Sequence, residues 1–226
     1  MNKLMNQGEA MVDTEKNPTV ILGGTFDPVH NGHIRIAHEI QNLIPQAEIT
    51  FMPVGIPPHR QATFATAKQR LAMLTLALES ETSFVIDNRE IIKSTPSYSI
   101  ESVEEMHLQQ PDQSLIWVMG RDAFENLTSW KRAEEFANNC HLLVVERPGY
   151  IENKDSLKIS QQLGFVKAKA IEELFPQTLG KIIHLSLSML DISSTQVREL
   201  INSKLNTQLL IADKVRTYIE THKLYQ

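Results

Sequence analysis

The chain is 226 residues long, 42% hydrophobic and 22% charged, so it carries enough apolar material for a core and too little charge for a disordered chain. Twenty-seven acidic against 22 basic residues give a formal net charge of −5, which argues against broad, non-specific binding to nucleic acid. The single cysteine, Cys140, excludes an intramolecular disulfide and a cysteine-held structural zinc, and reads as a small hydrophobe at the start of a strand. The opening residues lack the apolar run of a signal peptide, and no stretch is long and apolar enough to span a membrane. A soluble, cytoplasmic protein is expected.

Residues 1–17 are polar and aperiodic, as a flexible extension would be, and residues 18–226 read as one domain. Short runs rich in branched residues follow at 19–24, 49–55, 83–87, 114–120, 141–148 and 181–188. Segments of helical period lie between and after them, at 33–44, 67–80, 97–110, 194–203 and 212–223. In the second of these, Leu71, Leu74 and Leu78 with Ala72 and Met73 make a wide apolar face suited to lying on a sheet. The stretch 149–178 is the least regular part of the chain. Alternating strand and helix predicts an α/β fold with a doubly wound, mainly parallel sheet buried on both faces, ending in C-terminal helices.

In such sheets ligands bind at the carboxyl ends of strands, where strand order reverses. The first strand ends in GGTFDPVHNGH, residues 23–33. Gly23 and Gly24 permit a tight turn and close backbone approach, and Pro28 stiffens the loop. His30 and His33 bracket Gly32 at the mouth of a helix, where free amides and the helix dipole attract phosphate. The two imidazoles either donate to phosphate oxygens, each able to carry charge near neutral pH, or cap and pack the helix. Zinc would need a third ligand that the chain does not evidently offer. A second junction, DISSTQVREL (191–200), places Ser193, Ser194 and Thr195 with Arg198 at another helix mouth. It reads equally as a well-capped helix and as an anion site with a guanidinium clamp. Neither junction is a GxxxxGK[ST] loop or a GxGxxG fingerprint. Two anion cradles without an evident nucleophile suit direct phosphoryl or nucleotidyl transfer, which depends on positioning and electrostatics.

GGTFDPVHNGH resembles the first signature of the Rossmann-like HxGH nucleotidylyltransferases, and ISSTQVR the second. MPVGIPPHR (52–60), STPSYSIESVEEM (94–106), MGRDAFENLTSW (119–130), RPGY (147–150) and VRTYIETHKLY (215–225) narrow the resemblance to the nicotinate-nucleotide adenylyltransferases, over about residues 19–225. The resemblance implies transfer of AMP from ATP to nicotinate mononucleotide, with release of pyrophosphate and with Mg²⁺ carried by the ATP phosphates rather than at a permanent metal site. It implies that His30, His33 and Arg198 are catalytic. It further implies that Gly24, Thr25, Phe26, Gly120, Asp122, Ser193 and Ser194 bind ATP, with Gly120 and Asp122 near the ribose. Trp130 would stack on the pyridine ring, and Tyr98, Ser99, Lys131 and Arg60 would complete the mononucleotide site. Ser99 stands where threonine is usual, Arg60 where lysine is, and Lys131 where an aromatic residue is often found. A preference for the nicotinamide mononucleotide, or for both, is the close alternative; a non-catalytic nucleotide sensor on the same fold is the remote one.

Overall fold

The computed structural model describes residues 17–58, 63–146, 154–176 and 179–226. The apolar runs form strands β1 (Thr19–Gly24), β2 (Glu48–Pro53), β3 (Phe84–Ile86), β4 (Leu115–Gly120), β5 (His141–Glu146), β6 (Val166–Lys167) and β7 (Lys181–Ser186). They make one seven-stranded sheet of order β3-β2-β1-β4-β5-β7-β6, parallel at every pairing. The helices are α1 (Asn31–Leu43), α2 (Ala67–Ala77), α3 (Ser99–Gln109), α4 (Arg121–Glu125), α5 (Lys154–Gln162), α6 (Ser194–Asn202) and α7 (Asp213–Thr221). Among the described residues no helix is long and apolar enough to cross a membrane.

Successive strand residues face opposite sides of a sheet, and both sides here are buried. Val20, Leu22, Ile116 and Val118 pack with α1, α2, α6 and α7 on one face. Ile21, Leu115, Trp117 and Met119 pack with α3 and Phe124 of α4 on the other. Trp117 is thus a core residue, 3% exposed, and its ring fixes its neighbour: a Cβ on Gly23 would lie 2.6 Å from Trp117 Cζ2. Cys140 is fully buried just before β5, as a small hydrophobe should be.

The chain winds outward from β1 to β3, then returns to place β4 on the other side of β1. The loops after β1 and β4 therefore part in opposite directions and leave a crevice at the carboxyl ends of these two strands.

Several elements differ from expectation. α1 begins at Asn31, so Gly32 and His33 lie inside its first turn instead of ahead of it. Asp122 belongs to the first turn of α4, a helix that none of the periodic segments includes. Much of the irregular stretch is ordered into α5, β6 and a 3-10 turn at Ile171–Leu174. β6 is a two-residue edge strand, exposed on both residues, so no apolar run announces it. The expected extension lies outside the described residues except for Asn17, and so do Arg60 and the segment RPGY.

Candidate active site

A cleft of about 430 Å³ opens at the β1/β4 crevice. It is lined by Gly24, Thr25 and Phe26 of the loop after β1, by His33 and Ser194, and by Gly120, Tyr98, Ser99, Trp130 and Lys131. Residues expected from both anion junctions and from the pyridine end thus line one space. His30, Asp122, Ser193 and Arg198 do not line it: His30 is buried with its ring stacked on His33, Asp122 is exposed on α4, Ser193 caps α6 and Arg198 lies within that helix.

The loop after β1 is tightly determined. Phe26 is buried with a left-handed backbone (φ 49°), uncommon for a bulky residue, and its ring lies where a Cβ on Gly24 would fall, 2.9 Å away. Its edge meets His33 at a centroid separation of 4.9 Å. The His30 and His33 rings stack at 3.7 Å, and the His30 amide donates to His33 Nδ1 at 3.2 Å. In its neutral form His33 therefore carries its proton on Nε2 and is a donor there. Burial lowers the His30 pKa to about 4. Burial, then the neighbouring His30, hold His33 well below the usual histidine range. Charge on these rings near neutral pH, expected from sequence, is thus not their state in the free protein: an imidazolium would lose its hydration and face a second one. The mouth of α1 is also less open than its sequence implies, because the Asn31 amide already donates to the Leu210 carbonyl at 2.8 Å.

At the second junction the capping and anion readings separate residue by residue. Ser193 is the N-cap, its hydroxyl accepting from the Gln196 amide at 3.1 Å. Ser194 faces the cleft and donates to the Pro28 carbonyl at 2.9 Å. Arg198 reaches back to the first loop: Nη1 donates to the Asp27 carbonyl at 2.7 Å, Nη2 to Thr195 Oγ1 at 3.1 Å, and the guanidinium lies 4.5 Å over the Phe64 ring. The two junctions, remote in sequence, are hydrogen-bonded into one wall.

Sequence reasoning missed what holds that wall. Asp27, 4% exposed, accepts from the Phe64 and Ala65 amides at 2.8 and 3.1 Å and from the Tyr225 hydroxyl at 2.7 Å. Both residues lie in quoted segments, but only their meeting in space reveals the bond. Glu90, 2% exposed, lines the cleft beside Ser97 and accepts from Ser102 Oγ at 2.7 Å; burial raises its pKa. No motif marked it.

Of the residues expected around a pyridine ring, Trp130 is half-buried with its ring at a steep angle to Phe136, 6.0 Å away. Lys131 Nζ sits 3.9 Å over the Tyr98 ring and donates to Glu101 at 2.7 Å. The replacement of an aromatic residue by Lys131 therefore puts a cation, partly neutralised by Glu101, on the cleft rim.

The family model described as Cytidylyltransferase-like matches residues 21–200. A Hahella chejuensis protein named "Probable nicotinate-nucleotide adenylyltransferase" is 40% identical over 213 residues, covering 93% of this chain and 97% of its own. One of the same name from Aeromonas hydrophila is 35% identical, covering 93% and 98%. Among solved structures, Plasmodium falciparum nicotinic acid mononucleotide adenylyltransferase complexed with NaAD superposes with a TM-score of 0.71 at 17% identity, over 92% of this chain and 97% of that one. At that identity it speaks to the fold, which it shares. With a family model over most of its length and relatives at 35–40% identity over nearly all of it, the chain belongs to the nicotinate-nucleotide adenylyltransferase family, within the cytidylyltransferase-like nucleotidyltransferases.

Proposed function

We infer that this chain transfers AMP from ATP to nicotinate mononucleotide, forming nicotinate adenine dinucleotide and pyrophosphate. The observation that carries the reading is a single cleft lined both by His33 and Ser194, from the two loop-to-helix junctions, and by the aromatic ring of Trp130 and the cation of Lys131. Names of relatives matching over nearly their whole length support it.

In this reading an oxygen of the mononucleotide 5′-phosphate attacks the α-phosphorus of ATP. The bond from that phosphorus to the bridging oxygen breaks, and pyrophosphate leaves with the electron pair. The nucleophile is already ionised at neutral pH, so no general base is needed. The work left to the protein is alignment and stabilisation of charge on the phosphates. His33 would donate from Nε2, and His30, whose buried Nδ1 has no hydrogen-bond partner among the described residues, would keep the pair oriented and gain a proton as phosphate charge approaches. Arg198 and Ser194 would hold the leaving pyrophosphate, with Ser193 acting through the helix cap. Backbone of Gly24, Thr25 and Phe26 would line the ATP, and Gly120, open to solvent, would let the ribose approach with Asp122 nearby. Trp130, Tyr98, Ser99 and Lys131 would take the pyridine ring and its carboxylate, with Arg60 on the mononucleotide phosphate.

Mg²⁺ would enter on the ATP phosphates and neutralise charge developing there.

The test is pyrophosphate release with ATP and Mg²⁺, comparing nicotinate and nicotinamide mononucleotides. Release with a preference of about tenfold or more for the acid is expected, as a cation beside a carboxylate can give. Silence with both acceptors would overturn the assignment.

A further inference from the structure

Among the described residues Arg70 is the largest side chain that is fully buried, and the roles above leave it unused. It stands in the first turn of α2, behind the Thr66 cap, where the helix dipole disfavours a cation. Burial lowers its pKa, opposed mainly by the Asp27 charge, and Nε has no hydrogen-bond partner among the described residues. A methionine or leucine would fill such a site without these costs.

What the guanidinium does make is a fork. Nη1 donates to the Thr25 carbonyl and Nη2 to the Gly55 carbonyl, each at 2.7 Å. Thr25 follows the end of β1 and Gly55 lies just beyond β2, so one planar group binds the backbone of two adjacent strand-end loops. Both loops reach the cleft, the first through Thr25 and Phe26, the second through Val54, Pro57 and Pro58. The second loop is in turn rigidly coupled to the pyridine side. A Cβ on Gly55 would lie 2.0 Å from the Glu90 carbonyl oxygen, and the Ser97 amide donates to the Ile56 carbonyl at 2.9 Å. A shift of Gly55 would therefore carry Glu90 and the Ser97–Ser99 segment with it.

We propose that Arg70 is a positioning residue that fixes the spacing between the ATP loop after β1 and the mononucleotide loop after β2. The inference rests on the proposed reaction, in which the attacking oxygen must meet the α-phosphorus in line and a displacement of about 1 Å costs about 10²-fold in rate. A delocalised guanidinium suits the task because its two donors sit at a fixed separation, which lysine lacks.

The experiment is steady-state kinetics on Arg70→Met, Arg70→Lys and, as a packing control, Met73→Ala, which removes a fully buried side chain from the same helix and leaves the fork intact. Arg70→Met is expected to lower kcat by about 10²-fold while KM for either substrate moves less than about threefold, the signature of an effect confined to the transition state. Arg70→Lys, able to reach one carbonyl, should recover part of that loss. Met73→Ala should lower the melting temperature yet keep kcat close to wild type below it. Wild-type kcat in Arg70→Met, or a loss that tracks only the fraction unfolded as in the control, overturns the spacer. Should Arg70→Met fail to fold, Arg70→Lys decides alone: unchanged kcat overturns the proposal, reduced kcat at unchanged KM upholds it. Wild type is assayed first, because a silent wild type with both acceptors overturns the reaction itself and the spacer falls with it, an outcome distinct from an active wild type matched by an active Arg70→Met.

Discussion

The two histidines of the first loop differ in what surrounds them, and the difference assigns their work. His33 reaches the cleft, with Nδ1 occupied by the His30 amide. His30 lies behind it, 7% exposed, ring on ring. Both are neutral donors in the free protein, a suitable starting state for groups that must meet a polyphosphate without first repelling each other. His33→Ala should cut kcat by about 10²–10³-fold, as loss of a preorganised donor to transition-state charge does, and leave the fold intact. Single-turnover rates beside a thermal melt check this, and a variant turning over near the wild-type rate would remove His33 from the chemistry.

Among the elements, α6 shows how a motif divides between architecture and binding. Ser193, Ser194 and Arg198 read as one cluster, but the helix gives each a separate duty: Ser193 to the cap, Ser194 to the cleft, Arg198 to the Asp27 carbonyl. Ser193→Ala should cost about 1 kcal/mol, the usual worth of a serine cap, and lower the melting temperature by roughly 2–4 °C in a protein of this size. Calorimetry tests it; an unshifted melt with a large rise in the KM for ATP would make Ser193 a phosphate ligand and not a cap. The same element scale shows what the sequence could convey. Long branched runs such as Leu115–Gly120 announce a strand buried on both faces, and periodic segments announce α3 and α7. β6 and α4 stayed hidden because a two-residue edge strand and a five-residue helix carry too few residues to establish a period. At the site, Trp130, Tyr98 and Ser194 were legible because each lies in a local motif and also faces the cleft. Arg70 was read as part of a helix lying on the sheet, since nothing local distinguishes a charge that binds two distant carbonyls from one that faces water. Asp27 and Tyr225 were seen separately, and 198 residues part them.

For the whole molecule, a site built from buried neutral bases links function to acid stability. The His30 pKa falls from 6.5 to about 4 on folding, and burial also lowers those of His33 and of His141, a fully buried histidine away from the cleft. The folded state thus binds fewer protons than the unfolded state in the window below 6.5, and stability falls as the solution is acidified through it. For His30 alone the window spans 6.5 to about 4, worth about 3 kcal/mol, a figure set by its near-complete burial. Glu90 works in the opposite direction: burial raises its pKa from 4.5, so its contribution is present at acid pH and lost as pH rises through the folded value. The three histidines, joined at the acid end of the window by Glu135 and Glu173, whose hydrogen-bonded carboxyls are held below the usual carboxylate range, oppose Glu90 and leave a net loss on acidification. The melting temperature should therefore decline steadily from pH 6.5 towards pH 4, and His30→Asn, which keeps a polar group but cannot charge, should show a shallower decline by about one proton's worth of slope. Melts of the two proteins across that range decide it: parallel curves would mean that His30 charges as easily in the folded protein as in the unfolded chain, and that it is partly protonated near neutral pH before ATP arrives.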